Sequence, residues 1–403
     1  MIIFVRYAEL ALKLGNRAVF EQKLEKNIKA AMAGLRFKTS RHYGHMMLEV
    51  SEKDSEGVAG KLANIPGISN FSIVSEILKF KYPKSPTEKW AIAKLTEIAK
   101  IMALEIISPG EKKYWPKTFC VRSKRIQKSF PMDSPKIEAK LGEMILRGIP
   151  KLKVKLKNPE ITCHADLVDN KAYIYFDKIA GLGGLPVGTS GKIVSLISSG
   201  IDSPVASFRM TLRGAQVVFV HFHSYPHTNK ASQDNVREIV KLLTQYQLES
   251  RLYFVPFLEI QKAVMTNAEP ELRVVLYRRF MMKIAEEIAV HEGAGALVTG
   301  ENLGQVASQT LDNIAVINEA VAMPILRPLI GHSKQEIIDE ARKIGTYEIS
   351  IRPYADCCSL FVPKHPTTRA DLAVIKKVEK KAVFKKLIKE AIKKAEIENA
   401  VLS

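Results

Sequence analysis

The chain has 403 residues with 46% hydrophobic content, and 61 Lys plus Arg against 42 Asp plus Glu give a formal net charge of +19. This length allows two or three domains, each with its own core. A secretory signal and an apolar stretch near 18 residues are absent, and four cysteines are too few for a disulfide framework. We therefore expect a soluble cytoplasmic protein with no membrane partner. The positive charge indicates either a polyanionic partner such as nucleic acid or simply a lysine-rich surface.

The first block of the chain, residues 1–78, contains two predicted strands, "MIIFVRYAEL" and "GHMMLEV". Between them "NRAVFEQKLEKNIKAAMAG" has a helical pattern that ends at Gly34. A second helix, over about 55–64, leads to one more strand, "SNFSIVSEI". This order is typical of a ferredoxin-like βαββαβ unit in which the third strand is indistinct.

The second block, residues 79–178, begins with the helical pattern "PTEKWAIAKLTEIAKIMALEII", followed by the strand "TFCVRSKRI". Ser134-Pro135 starts a further helix, and "EITCHADLVDNKAYIYF" predicts a hairpin that turns at Asp169-Asn170. Basic residues are concentrated at the strand end, near Phe130. They are predicted to contact RNA, although a solvated strand end would look similar: Arg122, Lys124, Arg125 and Lys128.

The third block, residues 179–403, opens with the glycine-rich "GLGGLPVGTSGK". It is not a Walker A loop, because Pro186 and Ile193 occupy positions where that motif needs Gly and Ser or Thr. It is either a connection or a loop that closes over a ligand. Strands then alternate with helices through "KIVSLIS", "AQVVFVHFH", "LYFVPF", "GALVTG" and "PILRPLI". The pattern predicts a parallel sheet with helices on both faces, and a capping box from Ser333 to Glu336 starts one of them.

One turn of this block, within "SLISSGIDSPVASF", joins a buried strand to a helix. We expect Ile193 to Ile197 to form the strand, with Ser203 as the helix N-cap and Pro204 at the first helical position. Backbone N–H groups and the positive end of the helix dipole then meet in one cleft, which favours phosphate binding. His221-Phe222 and Gly300 follow other strands and should lie at the same edge of the sheet. The simpler alternative is an ordinary βα turn.

The residues of this turn carry a family resemblance. "SSGIDSPVA" resembles the SGGxDS pyrophosphatase loop (PP-loop) of the N-type ATP pyrophosphatases, which split ATP between its α- and β-phosphates and adenylate an acceptor. The wider match is to the ThiI-type tRNA 4-thiouridine synthetases, through "YRRFM", "ALVTGENLGQVASQTLDN", "ILRPLIGHSK" and "DCCSLFVPKHPTTRA", in the family's order. The first two blocks resemble that family's ferredoxin-like segment and its RNA-binding THUMP domain.

The resemblance implies a multidomain protein of mixed α/β and α+β class. We expect a ferredoxin-like domain over 1–78, a THUMP domain over 79–178 and a Rossmann-like, parallel-sheet PP-loop domain over 179–403. The third block runs to the last residue of the chain, so we expect a short form without the rhodanese-like extension that some members carry. A homodimer is one option for its oligomeric state.

The resemblance also implies ATP and Mg²⁺ as cofactors and a role for each matching residue. Asp202 would be a Mg²⁺ ligand or orient the phosphates; alternatively, it is only an acid that stabilises the start of the helix. Lys334 would neutralise charge on the phosphates. The pyrophosphate cradle would be formed by Ser198, Ser199, Gly200 and Ser203, with Ser199 standing where the family usually has glycine. The other ATP positions are Leu196, Ile197, His221, Phe222, Arg278, Gly300 and Gln309. His221 could equally be a core histidine.

The tandem cysteines Cys357 and Cys358 match a position at which the family handles sulfur. They are either buried packing residues or thiols that receive and pass on persulfide sulfur, with Cys357 as the first choice. Cys120 and Cys163, in predicted strands, should be structural.

The implied reaction adenylates uridine 8 of tRNA and replaces its O4 with sulfur, supplied by a cysteine desulfurase persulfide or by sulfide. Two alternatives stay open at this stage. One is another PP-loop adenylating enzyme that acts on RNA or on a small molecule, and the other is a non-catalytic tRNA-binding protein. A part in thiamine biosynthesis is also open.

Overall fold

A computed structural model describes residues 1–7, 9, 14–42, 45–54, 57–108, 115–126, 128–168, 170–176, 178–353, 361 and 363–402. By packing, the chain divides into two compact units. The first comprises Met1–Tyr7, Gly34–Ala63 and Ser69–Gly181, and the second comprises Ala8–Ala33, Asn64–Ile68 and Leu182–Ser403. The three domain boundaries expected from the sequence stay a prediction. Within the described ranges, no helix is both long and apolar enough to span a bilayer.

The strands and helices are numbered separately in chain order. The strands are β1 (Ile2–Arg6), β2 (Phe37–His42), β3 (His45–Val50), β4 (Asn70–Val74), β5 (Glu76–Lys79), β6 (Thr118–Arg125), β7 (Lys153–Val154), β8 (Ile161–Val168), β9 (Lys171–Tyr175), β10 (Ile179–Ala180), β11 (Lys192–Leu196), β12 (Gln216–His223), β13 (Glu249–Pro256), β14 (Leu297–Val298), β15 (Ile325–Leu326) and β16 (Glu396–Val401). The helices are α1 (Arg17–Ala31), α2 (Val58–Ala63), α3 (Glu88–Ile107), α4 (Ser134–Gly148), α5 (Asp202–Leu212), α6 (Ala231–Gln247), α7 (Leu258–Asn267), α8 (Arg273–Glu292), α9 (Leu311–Asn318), α10 (Lys334–Lys343), α11 (Tyr347–Ser350), α12 (Leu372–Glu379) and α13 (Ala382–Lys393).

The first unit contains two five-stranded sheets. The first sheet has the order β10-β4-β1-β3-β2 and is antiparallel, as expected for a ferredoxin-like element order. The second sheet has the order β5-β9-β8-β6-β7, with the β8–β9 hairpin that the sequence predicts. Helices α3 and α4 pack on this second sheet around a core that includes Leu95, Phe119, Leu141 and Leu167.

One predicted strand of this unit is wrong. The run "SNFSIVSEI" forms two strands, β4 and β5, which belong to different sheets. The chain leaves the first sheet at Ser75, whose N–H donates to the carbonyl of Ile174 in β9. The alternation of apolar and polar residues is interrupted here, since Ile73 and Val74 are both apolar and Ser75 and Glu76 are both polar. No Gly or Pro marks the break, so the pattern predicts a single strand.

The second unit is built on a six-stranded sheet of order β15-β14-β11-β12-β13-β16. Its first five strands are parallel, as predicted, and β16 is an antiparallel edge strand that the pattern does not reveal. Val194 and Leu196 of β11 pack in one core cluster and Ile193 in another, so helices cover both faces. The chain proceeds from β11 to β12 on one side and later to β14 on the other. This is the switch point at which ligands bind in open α/β sheets.

Candidate active site

The turn between β11 and α5 is closed by two serines. Ser203 Oγ accepts a hydrogen bond from the Ser198 backbone N–H at 2.8 Å and donates to the Ser198 carbonyl at 3.3 Å. The predicted N-cap role of Ser203 is wrong, because α5 begins at Asp202 after Ile201, and the Ser203 hydroxyl instead turns back to hold the loop. No described side chain caps the first turn of α5. Its N–H groups are therefore left for an anion.

Asp202, the first residue of α5, is paired with Lys334. Lys334 Nζ lies 2.5 Å from Asp202 Oδ1, and Gln305 Nε2 donates to Asp202 Oδ2 at 3.3 Å. The Asp202 side chain is 23% exposed and that of Lys334 is 44% exposed, so both reach solvent. This arrangement brings together the two charged residues that the sequence assigns to the phosphates.

The position of Lys334 follows from how α10 begins. Ser333 caps the helix in the predicted capping box: its Oγ accepts from the Glu336 N–H at 3.3 Å, while Glu336 Oε2 accepts from the Ser333 N–H at 2.8 Å. Arg209 of α5 donates from Nε to Glu340 of α10 at 2.7 Å. Since this ion pair joins the two helices, the first residue of α10 is held beside the first turn of α5.

A cleft opens at the carboxyl ends of β11, β12 and β14, beside this turn. Ten of the eleven predicted ATP positions line it together with Asp202: Leu196, Ile197, Ser198, Gly200, Ser203, His221, Phe222, Arg278, Gly300 and Gln309. The remaining one, Ser199, is 1% exposed, and its Oγ has no hydrogen-bond partner among the described residues. The predicted residues, spread over more than 110 positions of sequence, thus surround one space.

Gly300 lets the segment after β14 approach the start of α5. A Cβ built at Gly300 would lie 2.7 Å from the Ser203 backbone nitrogen and 2.9 Å from the Asp202 carbonyl carbon. Such distances leave no room for a side chain, because neither neighbour is the end of a flexible group. Gly300 thus packs directly against the turn between β11 and α5.

His221 and Phe222 lie within β12, which continues to His223 instead of ending before them. His221 is 1% exposed, with Nδ1 3.0 Å from the Ile197 carbonyl and Nε2 3.4 Å from Ser232 Oγ. These contacts fit the core-histidine alternative while the residue still borders the cleft. Burial, with smaller effects of His221 and Arg237, lowers the pKa of His223 to about 4. The His223 ring is therefore uncharged at neutral pH.

The adjacent arginines of "YRRFM" have different environments. Arg278 lines the cleft. Arg279 is 1% exposed and donates to both oxygens of Glu379 at 2.8 Å and to Glu319 at 3.0 Å. The Glu379 carboxylate is itself buried and also accepts from Lys283 at 2.8 Å. Arg279 therefore belongs to a buried ion-pair network, whereas Arg278 borders the cleft.

Three cleft residues are missing from the sequence-based set: Met281, Thr299 and Glu301. Glu301 is 1% exposed, and its Oε2 accepts from Arg327 Nε at 2.7 Å and from Thr299 Oγ1 at 3.0 Å. Its other oxygen, Oε1, is buried with no partner in the described part of the chain. The signal that could have found it is an acid next to Gly300, directly after a buried strand.

The four predicted RNA contacts lie on β6 and the turn that follows it. Lys124 and Lys128 are exposed. Arg122 is exposed but also bonds the Leu156 carbonyl at 2.9 Å. Arg125 Nη1 donates to the Phe130 carbonyl at 3.1 Å, so it helps to hold the turn. Their binding of RNA stays a prediction.

The cysteines separate into two pairs. Cys120 and Cys163 are buried in strands and are not joined in a disulfide, as expected of structural residues. Cys357 and Cys358 lie outside the described residues, and their role stays a prediction.

Comparison with known families assigns most of the chain. Residues 188–384 match the family described as thiamine biosynthesis protein (ThiI), residues 2–72 its ferredoxin-like domain and residues 91–177 the THUMP domain. The chain is 43% identical to a probable tRNA sulfurtransferase of Moorella thermoacetica, over 94% of this chain and 92% of that protein. It is 42% identical to one of Thermoanaerobacter sp. strain X514, over 94% and 95% of the two chains.

A solved structure agrees with the sequence comparison. The fold matches a crystal structure of a 4-thiouridine synthetase–RNA complex with bound ATP, with a TM-score of 0.84 and 35% identity over 99% of both chains. These similarities in sequence and structure agree with the PP-loop turn, the Asp202–Lys334 pair and the cleft described above. The chain therefore belongs to the ThiI family of tRNA sulfurtransferases.

Proposed function

We propose that the cleft binds ATP, adenylates O4 of uridine 8 in tRNA and so prepares C4 for replacement of oxygen by sulfur. The observation that carries this proposal is the convergence of the Ser198–Ser203 turn, the Asp202–Lys334 pair and Arg278 on one cleft at the strand switch point. At the level of the family, the activity is ATP-dependent transfer of sulfur to tRNA.

Different residues of the cleft suit the adenine and the phosphates of ATP. The apolar side chains of Leu196, Ile197, Phe222 and Met281 offer walls for adenine. The uncapped N–H groups of α5 and the positive charge of Lys334 would stabilise negative charge on the phosphates, which grows as pyrophosphate leaves. In this arrangement Asp202 holds Lys334 in place before ATP arrives.

Mg²⁺ fits the donor groups of the cleft. No cluster of three His, Cys, Asp or Glu side chains suited to a metal occurs within the described residues. Mg²⁺ bound to a nucleotide needs only one or two carboxylates besides phosphates and water. Asp202 and the unpartnered Oε1 of Glu301 would supply them. When bound, the ion would neutralise charge on the phosphate oxygens.

The proposed chemistry has two steps. Uridine O4 attacks the α-phosphorus of ATP, so an O4–P bond forms, the bond to pyrophosphate breaks and the N3 proton is lost. Sulfide then attacks C4, the C4–O4 bond breaks, and AMP leaves. A persulfide donor would instead give a C4–S–S linkage that a second thiol must cleave.

We further propose that Cys357 receives the sulfur when a cysteine desulfurase is the donor, with Cys358 next to it. Because adenylation needs only the phosphate cleft, Cys357→Ser should still form the adenylate and release pyrophosphate but make no 4-thiouridine with the desulfurase. Cys358→Ser should be milder, and free sulfide should bypass both. Normal thiolation by the double serine variant with the desulfurase would show that neither thiol carries sulfur.

The choice of uridine 8 is tested with two tRNA transcripts that differ at this position. The chain is mixed with ATP and either unmodified tRNA or the same transcript with cytidine at position 8, and pyrophosphate release is measured. We expect release only with uridine 8, followed by 4-thiouridine on addition of sulfide. Equal release from both transcripts would contradict the assignment of position 8. Release without any tRNA would favour an adenylating enzyme that acts on a small molecule.

A further inference from the structure

The last two helices carry the densest positive charge of the second unit. Residues 376–394 contain nine lysines, two glutamates and no arginine. Six of these lysines are exposed and form no ion pair with any residue that the structure describes: Lys377, Lys380, Lys385, Lys389, Lys393 and Lys394. We call these six residues the lysine face.

The acidic residues nearby do not neutralise this face. Glu379 is held by Arg279 and Lys283 inside the unit, at 2.8 Å from each. Glu390 lies 3.8 Å from Lys386, a residue outside the lysine face. Lys385, Lys389 and Lys393 follow each other at four-residue spacing along α13. Like charges at this spacing repel and cost helix stability, so the free protein gains nothing from them.

The lysine face lies on helices that are joined to elements of the cleft. Thr310 Oγ1, next to the cleft residue Gln309, donates to the Thr368 carbonyl at 2.6 Å. Asn313 Nδ2 donates to the Thr367 carbonyl at 2.9 Å, which fixes the segment leading into α12. Helix α13 packs on α8 through the stacked rings of Phe384 and Phe280, 4.6 Å apart. A polyanion on the face would thus be anchored to the unit that carries Arg278.

The composition of the face favours nucleic acid over an acidic protein. Protein interfaces are enriched in Arg, Tyr and Trp and depleted in Lys. Residues 371–394 contain none of the first three and nine lysines. Lysine is a flexible point charge that suits phosphates spaced along a backbone, and such contacts fix position without reading sequence.

We infer that the lysine face binds the phosphate backbone of tRNA on the catalytic unit, separately from the RNA contacts predicted for β6. The inference rests on tRNA being the substrate. It adds a second phosphate-binding surface, whose purpose is to hold the RNA body while a uridine enters the cleft.

The test compares two triple variants of the full chain with the same change in charge. Lys385→Gln/Lys389→Gln/Lys393→Gln removes one row of the face, and Gln keeps helix propensity. The control is Lys241→Gln/Lys262→Gln/Lys343→Gln, which removes three exposed lysines of α6, α7 and α10. Affinity for unmodified tRNA is measured over a series of KCl concentrations. ATP affinity serves as the check on folding.

We expect the face variant to bind tRNA about 10-fold more weakly at low salt, with a plot of log affinity against log salt about 2 to 3 units shallower, since each lost phosphate contact contributes about 0.9. The control should stay within about 2-fold of wild type, and Arg at all three face positions should restore binding. Equal effects of the two triple variants would overturn the inference.

Two further outcomes separate the inference from its alternatives. Unchanged tRNA affinity together with loss of desulfurase-dependent thiolation would assign the face to a protein donor and overturn the inference. Absence of tRNA binding by the wild-type chain would overturn the proposed function as well. Weakened binding in the face variant alone supports both.

Discussion

Lys334 Nζ lies 2.5 Å from Asp202 Oδ1, which joins the first residue of α10 to the first residue of α5 at the mouth of the cleft. The two residues are 132 positions apart in sequence. The ion pair places a positive charge beside the first turn of α5, where we propose that phosphate binds, and Asp202 would hold this charge until the nucleotide arrives.

Removing the charge of Lys334 should slow the adenylation step. Lys334→Met should reduce tRNA-dependent pyrophosphate release by about 100-fold or more, the usual effect of losing one donor to developing negative charge. ATP affinity should change much less, because most of this interaction forms in the transition state. Lys343→Met, at the other end of α10, is the control. A loss confined to ATP affinity would contradict this role.

Replacing each of the two adjacent arginines by glutamine should have different effects, one mainly on ATP binding and the other mainly on the free energy of unfolding. Arg278→Gln should weaken ATP binding by about 10-fold or more, since a charge contact with the nucleotide is lost, and should cost less stability than the Arg279 variant. Arg279→Gln should lower the free energy of unfolding by about 3 kcal/mol, because it leaves the buried Glu379 short of its main partner. Nucleotide titration and urea unfolding of both variants measure the two effects. The opposite pattern would mean that their roles are reversed.

Adding one methyl group at Gly300 should displace the turn between β11 and α5. The new Cβ would lie 2.7 Å from the Ser203 nitrogen, so Gly300→Ala should cost about 1–3 kcal/mol of stability and weaken ATP binding. At Gly295 a Cβ would meet nothing within 4 Å, and Gly295→Ala should be nearly neutral. Equal thermal midpoints for the two variants would show that the turn can yield.

His164, in β8 of the first unit, should make stability depend on pH. Burial, and then the nearby charges of Lys178 and Arg6, lower the pKa of His164 to about 3, whereas an unfolded histidine titrates near 6.5. The unfolded chain therefore binds more protons below pH 6.5. The contribution of His164 is complete above that pH and is lost as pH falls toward about 3.

His164→Phe keeps the stacked ring contact with Tyr175 but does not titrate. Its free energy of unfolding should fall less steeply than that of wild type below pH 6.5, by up to about 1.4 kcal/mol per pH unit. His291→Phe, at an exposed position, is the control. Parallel curves for wild type and His164→Phe, measured by urea unfolding at several pH values, would contradict the burial argument.

The sequence predicts the strand–turn–helix geometry between β11 and α5 well, because strand, small residues and helix lie next to each other in the chain. It also predicts the parallel sheet of the second unit, since buried strands read as continuous apolar runs. It misses β16, a largely exposed edge strand with two glutamates, and the division between β4 and β5, which no Gly or Pro marks.

Burial and pairing explain what else the sequence does not reveal. The sequence does not show that Arg279 is buried while Arg278 borders the cleft. Nor does it show that one carboxylate oxygen of Glu301 has no hydrogen-bond partner among the described residues. Likewise Ser203-Pro204 has the pattern of a helix start, yet the hydroxyl is used within the turn. Each of these depends on contacts between distant segments, which local patterns do not contain.

Whether this cleft is the adenylation site is tested most directly by the Asp202→Ala variant with unmodified tRNA, ATP and sulfide. We expect no pyrophosphate release and no 4-thiouridine, with tRNA affinity within about 2-fold of wild type, because Asp202 orders the phosphates and does not contact the RNA body. Asp339→Ala, which removes an exposed acid from α10, should retain full activity. Full pyrophosphate release by Asp202→Ala would contradict the assignment of this cleft as the adenylation site.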